Sequence, residues 1–292
     1  MTESAGRSAY LGIDLGTSGL KLTLVDSDGT VIGEAEASYG VDTPQPGHAE
    51  TDPAEWARAL DEARTALFGS LPGGAEPPAV ASVGVTGQMH GVVLVGHDGR
   101  PVRPAVLWPD QRAVSSLGAW HALPQTVRRR LGNPLVAGMA GPILSWLREH
   151  EPWSVAATAA VMSPKDWLRA LLTSDRTTDR SDASATLLWD VVSDDWSKEA
   201  LQLAGVSVEQ LPSVVPSDDV VGTTPIMAPG LSGEEQVPVV AGGADTACAL
   251  AAVRAAAVGA EGHEAVGRGA DRADILVVNV GTGIQILRPA EA

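Results

Sequence analysis

Residues 10–25 read YLGIDLGTSGLKLTLV, two apolar strand-like runs joined by a glycine-rich turn with one carboxylate, Asp14, and two hydroxyls, Thr17 and Ser18. The plan recurs at residues 275–287, ILVVNVGTGIQIL, with Asn279 where the first copy has Asp14. Small residues let backbone N–H groups approach an anion and adjacent hydroxyls add donors, so such a turn suits a phosphate. A carboxylate beside a phosphate repels it unless a cation lies between, which makes Asp14 the outer support of a hydrated Mg2+. For one copy alone, a plain hairpin whose Gly16 and Gly19 serve turn geometry is the competing reading. Two copies point to two halves facing one ligand.

Outward from this stretch, residues 10–15, 20–26 and 31–38 form a three-strand meander, with Ser27-Asp28-Gly29 as a hairpin turn. The period then changes. Asp52-Pro53-Ala54-Glu55 has the order of an N-cap, a first-turn proline and a capping-box glutamate. Trp56, Ala59, Leu60, Ala63 and Leu67 follow at helical spacing, predicting an amphipathic helix over one sheet face, ended by the loop at 72–78. After such a crossover the strand Val80–Thr86 returns parallel to the first. Meander, helix, strand is an α/β plan.

That strand ends in Gly87-Gln88-Met89-His90-Gly91, where open α/β sheets bind ligands. An imidazole can bond a sugar hydroxyl and a methionine can pack on a carbon skeleton. A structural, hydrogen-bonded His90 is the alternative. Residues 92–95 and 105–108 read as a hairpin running into Trp108-Pro109-Asp110-Gln111-Arg112, either one wall of a polyol pocket or a local ion pair. Residues 115–210 read as mainly helical, clearest at 142–150 and at 163–172, where Ser163 caps and Pro164 opens the first turn. The alanines at 155–160 read as helix packing. Asp175, Asp179, Asp182, Asp190, Asp194 and Asp195 show no metal-ligand spacing and read as loop and cap residues.

At residues 237–257, VPVVAGGADTACALAAVRAAA, an apolar strand runs through Gly242 and Gly243 into Asp245, with an alanine-rich helix following. Asp245 therefore stands at a helix N-terminus, where the dipole favours its ionised form. It can accept a proton from a substrate hydroxyl, or serve as a plain cap.

The 36 acidic and 20 basic residues among 292 give a net charge of −16, which argues against general affinity for nucleic acid or anionic membranes. Arg128, Arg129 and Arg130 read as a solvated helix face. A single cysteine, Cys248, excludes an internal disulfide and fits a reducing compartment. Residues 1–9 are polar, without a signal-peptide core, and no apolar run is long enough to span a bilayer, so the expectation is a cytoplasmic protein.

Taken together, GIDLGTSGLK, GQMHG, LWPDQR, SPKDWL, TDRSDAS, VPVVAGGAD and the terminal NVGTG resemble the FGGY family of carbohydrate kinases, most closely its xylulokinases. The resemblance implies a ribonuclease-H-like, actin-type fold of two domains with sugar and ATP bound between them, and transfer of the ATP γ-phosphoryl group to a ketose or polyol. It makes Asp245 the general base. It assigns Gln88, Met89, His90, Trp108, Asp110, Arg112 and Thr246 to the sugar. The phosphates fall to Gly16, Thr17, Ser18, Lys21, Gly281, Thr282 and Gly283, and Mg2+ to Asp14. Thr246 stands where the xylulokinase pattern has an amide-bearing Asn, and Ala244 replaces a glycine. The implied organisation is a disordered tail at 1–9, the first kinase domain at 10–257, a flexible linker at 258–274 and the start of a second, truncated domain at 275–292. With the second domain cut short, the expectations are weak ATP binding and either a homo-oligomer, a complementing chain that carries the other half, or a sugar-binding module without turnover.

Overall fold

The strands of the opening meander pair as their alternation predicts. In the computed structural model, which describes residues 8–71, 78–225, 236–261, 277–280 and 284–287, β1 (Ala9–Leu15), β2 (Gly19–Asp26) and β3 (Val31–Ser38) are antiparallel neighbours. Ile13, Leu15, Leu20, Leu22 and Leu24 are buried on one face, while Gly12, Asp14 and Lys21 lie on the other, as a period of two requires. The β2–β3 turn is tied by Asp26, whose Oδ1 accepts from the Asp28 and Thr30 amides at 2.9 Å each.

A two-residue strand, β4 (Glu50–Thr51), precedes α1 (Pro53–Ser70), which is capped by the Asp52 carboxylate accepting from Ala54 N at 2.9 Å. Trp56, Ala59, Ala63 and Leu67 form its buried stripe, and Trp56 meets Trp167 edge to face at 5.9 Å. β5 (Val80–Gly87) then lies parallel to β1, with Asp14 opposite Thr86. The strand Gln236–Val240 joins β5 in parallel, and Val220–Pro225 closes that edge antiparallel. The short strand Gly243–Ala244 pairs with the end of β5, Gly243 opposite Thr86. The carboxyl ends of β1 and β5 and the Gly243–Ala244 strand thus share one rim.

A second core gathers Trp120, Ile143, Leu144, Leu147, Leu187, Leu188 and Leu201. Two expectations fail here. Residues 92–95 and 105–108 do not form a ladder: Val93–Gly96 pairs with Thr158–Met162 and Ala105–Val106 with β4, leaving a single Val92–Val106 bridge between them. The alanine run is not one helix either, since its helix ends at Ala156 and Thr158–Met162 is a strand. Buried partners on both sides outweigh alanine's helix preference there.

The helix after Asp245 runs Asp245–Glu261, four residues beyond the boundary drawn at 257. Val277–Val280 and Ile284–Leu287 pair antiparallel. Residues 1–7, the remainder of the proposed linker, and Gly281, Thr282 and Gly283 lie outside the described residues. Among the described residues no helix is long and apolar enough to cross a membrane.

Candidate active site

The turn between β1 and β2 is held closed from several sides. Gly16 N donates to Gly19 O at 2.9 Å. The Gly16 carbonyl accepts from the Gln88 side-chain amide at 3.0 Å and from the Tyr39 hydroxyl, which also lies 3.2 Å from Gly19 O. Gln88 is 2% exposed, so its amide braces the turn and does not form a sugar wall. Burial, with the Asp14 charge as a second cause, raises the Tyr39 pKa and keeps the phenol protonated as this donor. Tyr39 was not singled out by sequence reading, because 20 residues separate it from Gly19.

Thr17 is fixed by a longer-range partner, the Trp108 indole N–H, which donates to its Oγ1 at 2.9 Å. With that lone pair used, the Thr17 hydroxyl proton remains to be donated elsewhere. Lys21 is cross-strand from Asp14 but bonds Glu34 at 2.7 Å on the half-exposed surface. That bond, more than the neighbouring Asp14, raises its pKa and keeps it a cation.

Asp14 keeps an edge open to solvent, yet surrounding protein raises its pKa, the Asp245 charge raises it further, and Lys21 opposes. Asp14 and the Gly243–Ala244 strand that leads into Asp245 flank the same residue, Thr86, so the two carboxylates share the rim. Thr246 N donates to Asp245 Oδ1 at 2.6 Å, and the Thr246 hydroxyl sits 2.9 Å from the same oxygen and against the Met89 sulfur. Asp245 is thus tied by one oxygen to the start of its own helix. Beside Asp14 an open cleft of about 470 Å³ is lined by Lys21, Thr86, Ser217, Gly242 and Cys248.

His90 takes a left-handed backbone at φ 72 and stands with Nδ1 2.8 Å from the Ala185 carbonyl. A carbonyl only accepts, so Nδ1 carries the proton and Nε2 is left as an acceptor. Burial lowers the His90 pKa, while the Ala185 bond and Asp245 pull the other way. The imidazole is accordingly neutral near pH 7.

Asp110 and Arg112 are not in this group. Asp110 is fully buried, accepting from Ala49 N at 2.6 Å and from Arg112 through N, Nε and Nη2 at 2.8–2.9 Å. Arg112 also bonds Glu50 at 2.5 Å and lies 5.3 Å over the Trp146 ring. Burial opposes its charge, but Asp110 and Glu50 outweigh that and raise its pKa. Of the two sequence readings, the local ion pair is the one observed: the carboxylate and guanidinium occupy each other and have no free edge for a polyol.

The structure therefore joins Asp14, Thr17, Met89, His90, Trp108, Asp245 and Thr246. Among the described residues no three His, Cys, Asp or Glu side chains gather to hold a metal. Asp14 beside Asp245 suits a hydrated Mg2+ that keeps most of its waters and takes phosphate oxygens, and the bonded Thr17 turn suits the phosphates.

Residues 9–252 match the family model described as the N-terminal domain of the FGGY family of carbohydrate kinases. The xylulose kinase of Escherichia coli (strain K12) is 36% identical over 244 residues, 84% of this chain and 50% of that protein. A crystal structure of a xyloylose kinase from Brucella ovis superposes with a TM-score of 0.76 at 34% identity, over 82% of this chain and 49% of that one. The xylulose kinase structure from Rhodospirillum rubrum gives 0.76 at 29%, covering 84% and 50%. The mixed sheet is the ribonuclease-H-like architecture of these kinases, and the chain spans about half the length of the curated relatives it matches.

Proposed function

Because the chain belongs to the FGGY family of carbohydrate kinases, we propose that it carries the sugar-side machinery of an ATP-dependent kinase acting on a hydroxyl of a ketose, with D-xylulose or a related pentulose or polyol as the leading substrate. The observation that carries this reading is the strand register, which sets Asp14 and Gly243 on either side of Thr86 and so brings Asp14, the Thr17 turn and Asp245 to one rim, where Thr246 meets Met89. In this reading the domain that holds the site begins at residue 10 and includes the helix that ends at Glu261.

The sugar lies against Met89, with the His90 Nε2 accepting from one of its hydroxyls. Asp245 stands in reach of the hydroxyl to be phosphorylated and takes its proton as the bond to phosphorus forms. Phosphoryl transfer has a loose transition state, so holding the hydroxyl in line matters more than the strength of the base. ATP supplies the γ-phosphoryl group and Mg2+ neutralises its charge when bound, with Asp14 supporting the metal's waters and Gly16, Thr17 and Ser18 the phosphates. Thr246 ties one Asp245 oxygen, which leaves the other for the substrate.

A coupled ADP-release assay with Mg·ATP and a panel of ketoses and polyols tests this, with Asp245→Asn as control. Sugar-dependent turnover that falls ~10²–10⁴-fold in the variant, at unchanged sugar affinity, is expected of a general base. Turnover unaffected by Asp245→Asn removes the residue from this role. Sugar binding without turnover assigns the chain a binding role instead.

A further inference from the structure

Behind the rim lies a buried ion cluster that none of the site chemistry uses. Lys165, fully buried, places Nζ 3.0 Å from Asp166, 3.1 Å from Asp179 and 3.1 Å from Asp182. Arg169, also fully buried, bonds Asp166 at 3.0 Å. Burial opposes the Lys165 charge, but the three carboxylates outweigh it and hold the group protonated. Such clusters are seldom more stabilising than apolar packing of the same volume, so their presence asks for another reason.

The reason lies in where the remaining bonds lead. Lys165 Nζ and Arg169 Nη1 both donate to the Ala241 carbonyl, at 3.2 and 2.7 Å. Asp179 Oδ2 accepts from the Ser181 hydroxyl and, at 3.0 Å, from the Ser217 hydroxyl. Ser181 Oγ in turn accepts from Ala244 N at 2.9 Å, and Ser217 O accepts from Gly242 N at 2.9 Å. Ala241 N bonds Asp219 O at 2.9 Å, and Gly243 O accepts from Thr86 at 2.8 Å. Five of the eight backbone N–H and C=O groups of residues 241–244 are thereby fixed, and the next residue is Asp245.

We infer that the Lys165–Asp179–Ser181 chain is a positioning device for Asp245, in which Ser181 is the residue that transmits the cluster's placement to the loop through Ala244 N. The inference rests on the reading of Asp245 as the proton acceptor. A loop tied only at its ends would let the carboxylate wander by the ångström that phosphoryl transfer does not tolerate. The Ser181 hydroxyl is engaged by Asp179 and Ala244 N and acts through the loop.

The test is Ser181→Ala, with Ser181→Thr as the variant that keeps the hydroxyl. In the ADP-release assay Ser181→Ala is expected to lower kcat at least tenfold, with KM for sugar and ATP within twofold of wild type, and Ser181→Thr to recover most of the loss. Hydrogen exchange read by mass spectrometry over residues 241–246 should quicken at least tenfold in Ser181→Ala while the thermal midpoint stays. Unchanged loop exchange in a folded Ser181→Ala overturns the inference, whatever the turnover. Quickened exchange in a chain whose wild type shows no turnover keeps the loop device and rejects the kinase reading. Should Ser181→Ala not fold, Ser181→Cys keeps the shape of the side chain but offers Ala244 N only a weak sulfur acceptor, and unchanged loop exchange in it also overturns the inference.

Discussion

The indole N–H of Trp108 donates to the hydroxyl of Thr17 at 2.9 Å, joining two segments 91 residues apart in the chain. The bond leaves the Thr17 hydroxyl a donor with one free proton. Trp108→Phe keeps the aromatic face and removes only this link. The expected result is a two- to twelvefold rise in KM for ATP, about what one ordinary hydrogen bond contributes, with KM for sugar unchanged. Steady-state kinetics with each substrate varied in turn would check it. A rise in sugar KM alone would instead make the ring a sugar wall.

Gly242 adopts φ +74, and a Cβ there would stand 1.8 Å from the Val85 carbonyl oxygen. Left-handed backbone costs a non-glycine residue ~1–2 kcal/mol, and the clash with a strand carbonyl adds more. Gly242→Ala should therefore destabilise the fold by roughly 3–5 kcal/mol, in the range reserved for a broken structural rule. Urea denaturation measures this, and a loss under about 1 kcal/mol would show that the loop relocates freely.

Arg112 is buried between Asp110 and Glu50, each within 2.8 Å. Arg112→Met leaves the buried Asp110 without its cation, while Glu50 keeps Arg103; stranding one buried charge in this way typically costs ~3–5 kcal/mol. Sugar affinity of the fraction that remains folded should stay at the wild-type value. Calorimetry showing a tenfold loss of sugar affinity in a stable variant would return Arg112 to the pocket wall.

Burial pushes the Asp182 carboxyl up to about 7, against the pull of Lys165 and with Asp166 and Asp179 adding to the rise. A group whose pKa is higher folded than unfolded contributes stability that is complete below its unfolded value and is lost as pH rises through the folded one. Between pH 5 and 8 the thermal midpoint should fall on account of this group. Asp182→Asn, which cannot titrate, should flatten that part of the profile. An unchanged slope in the variant would assign it to another group.

The meander and its first helix were legible because each rests on neighbours in sequence. The strands begin and end within a residue of their expected bounds, and Asp52 and Ser163 cap the helices they precede. The position of Asp245 and of Met89 and His90 just beyond strand ends was legible for a related reason, since the glycines there mark where each strand stops. The roles of Lys165, Asp179 and Ser181 were not. Asp179 does cap its short helix, accepting from Ser181 N at 2.9 Å, and this local duty conceals its other bonds. Asp110 and Arg112 misled in the opposite way. Two residues apart and polar, they carry no mark in the sequence of the Glu50 partner that buries them.

The bond from the Thr86 hydroxyl to the Gly243 carbonyl spans 157 positions. At ~5–20 residues per second of synthesis, about 8–30 s separate the appearance of the two partners. Until Gln236–Val240 is made, late in that interval, β5 has β1 on one side and an open edge on the other, of the kind that recruits foreign chains. The same parallel pairing that brings Asp245 to the rim of Asp14 therefore leaves a strand edge open during synthesis, and the ribosome must pass residue 240 before it closes.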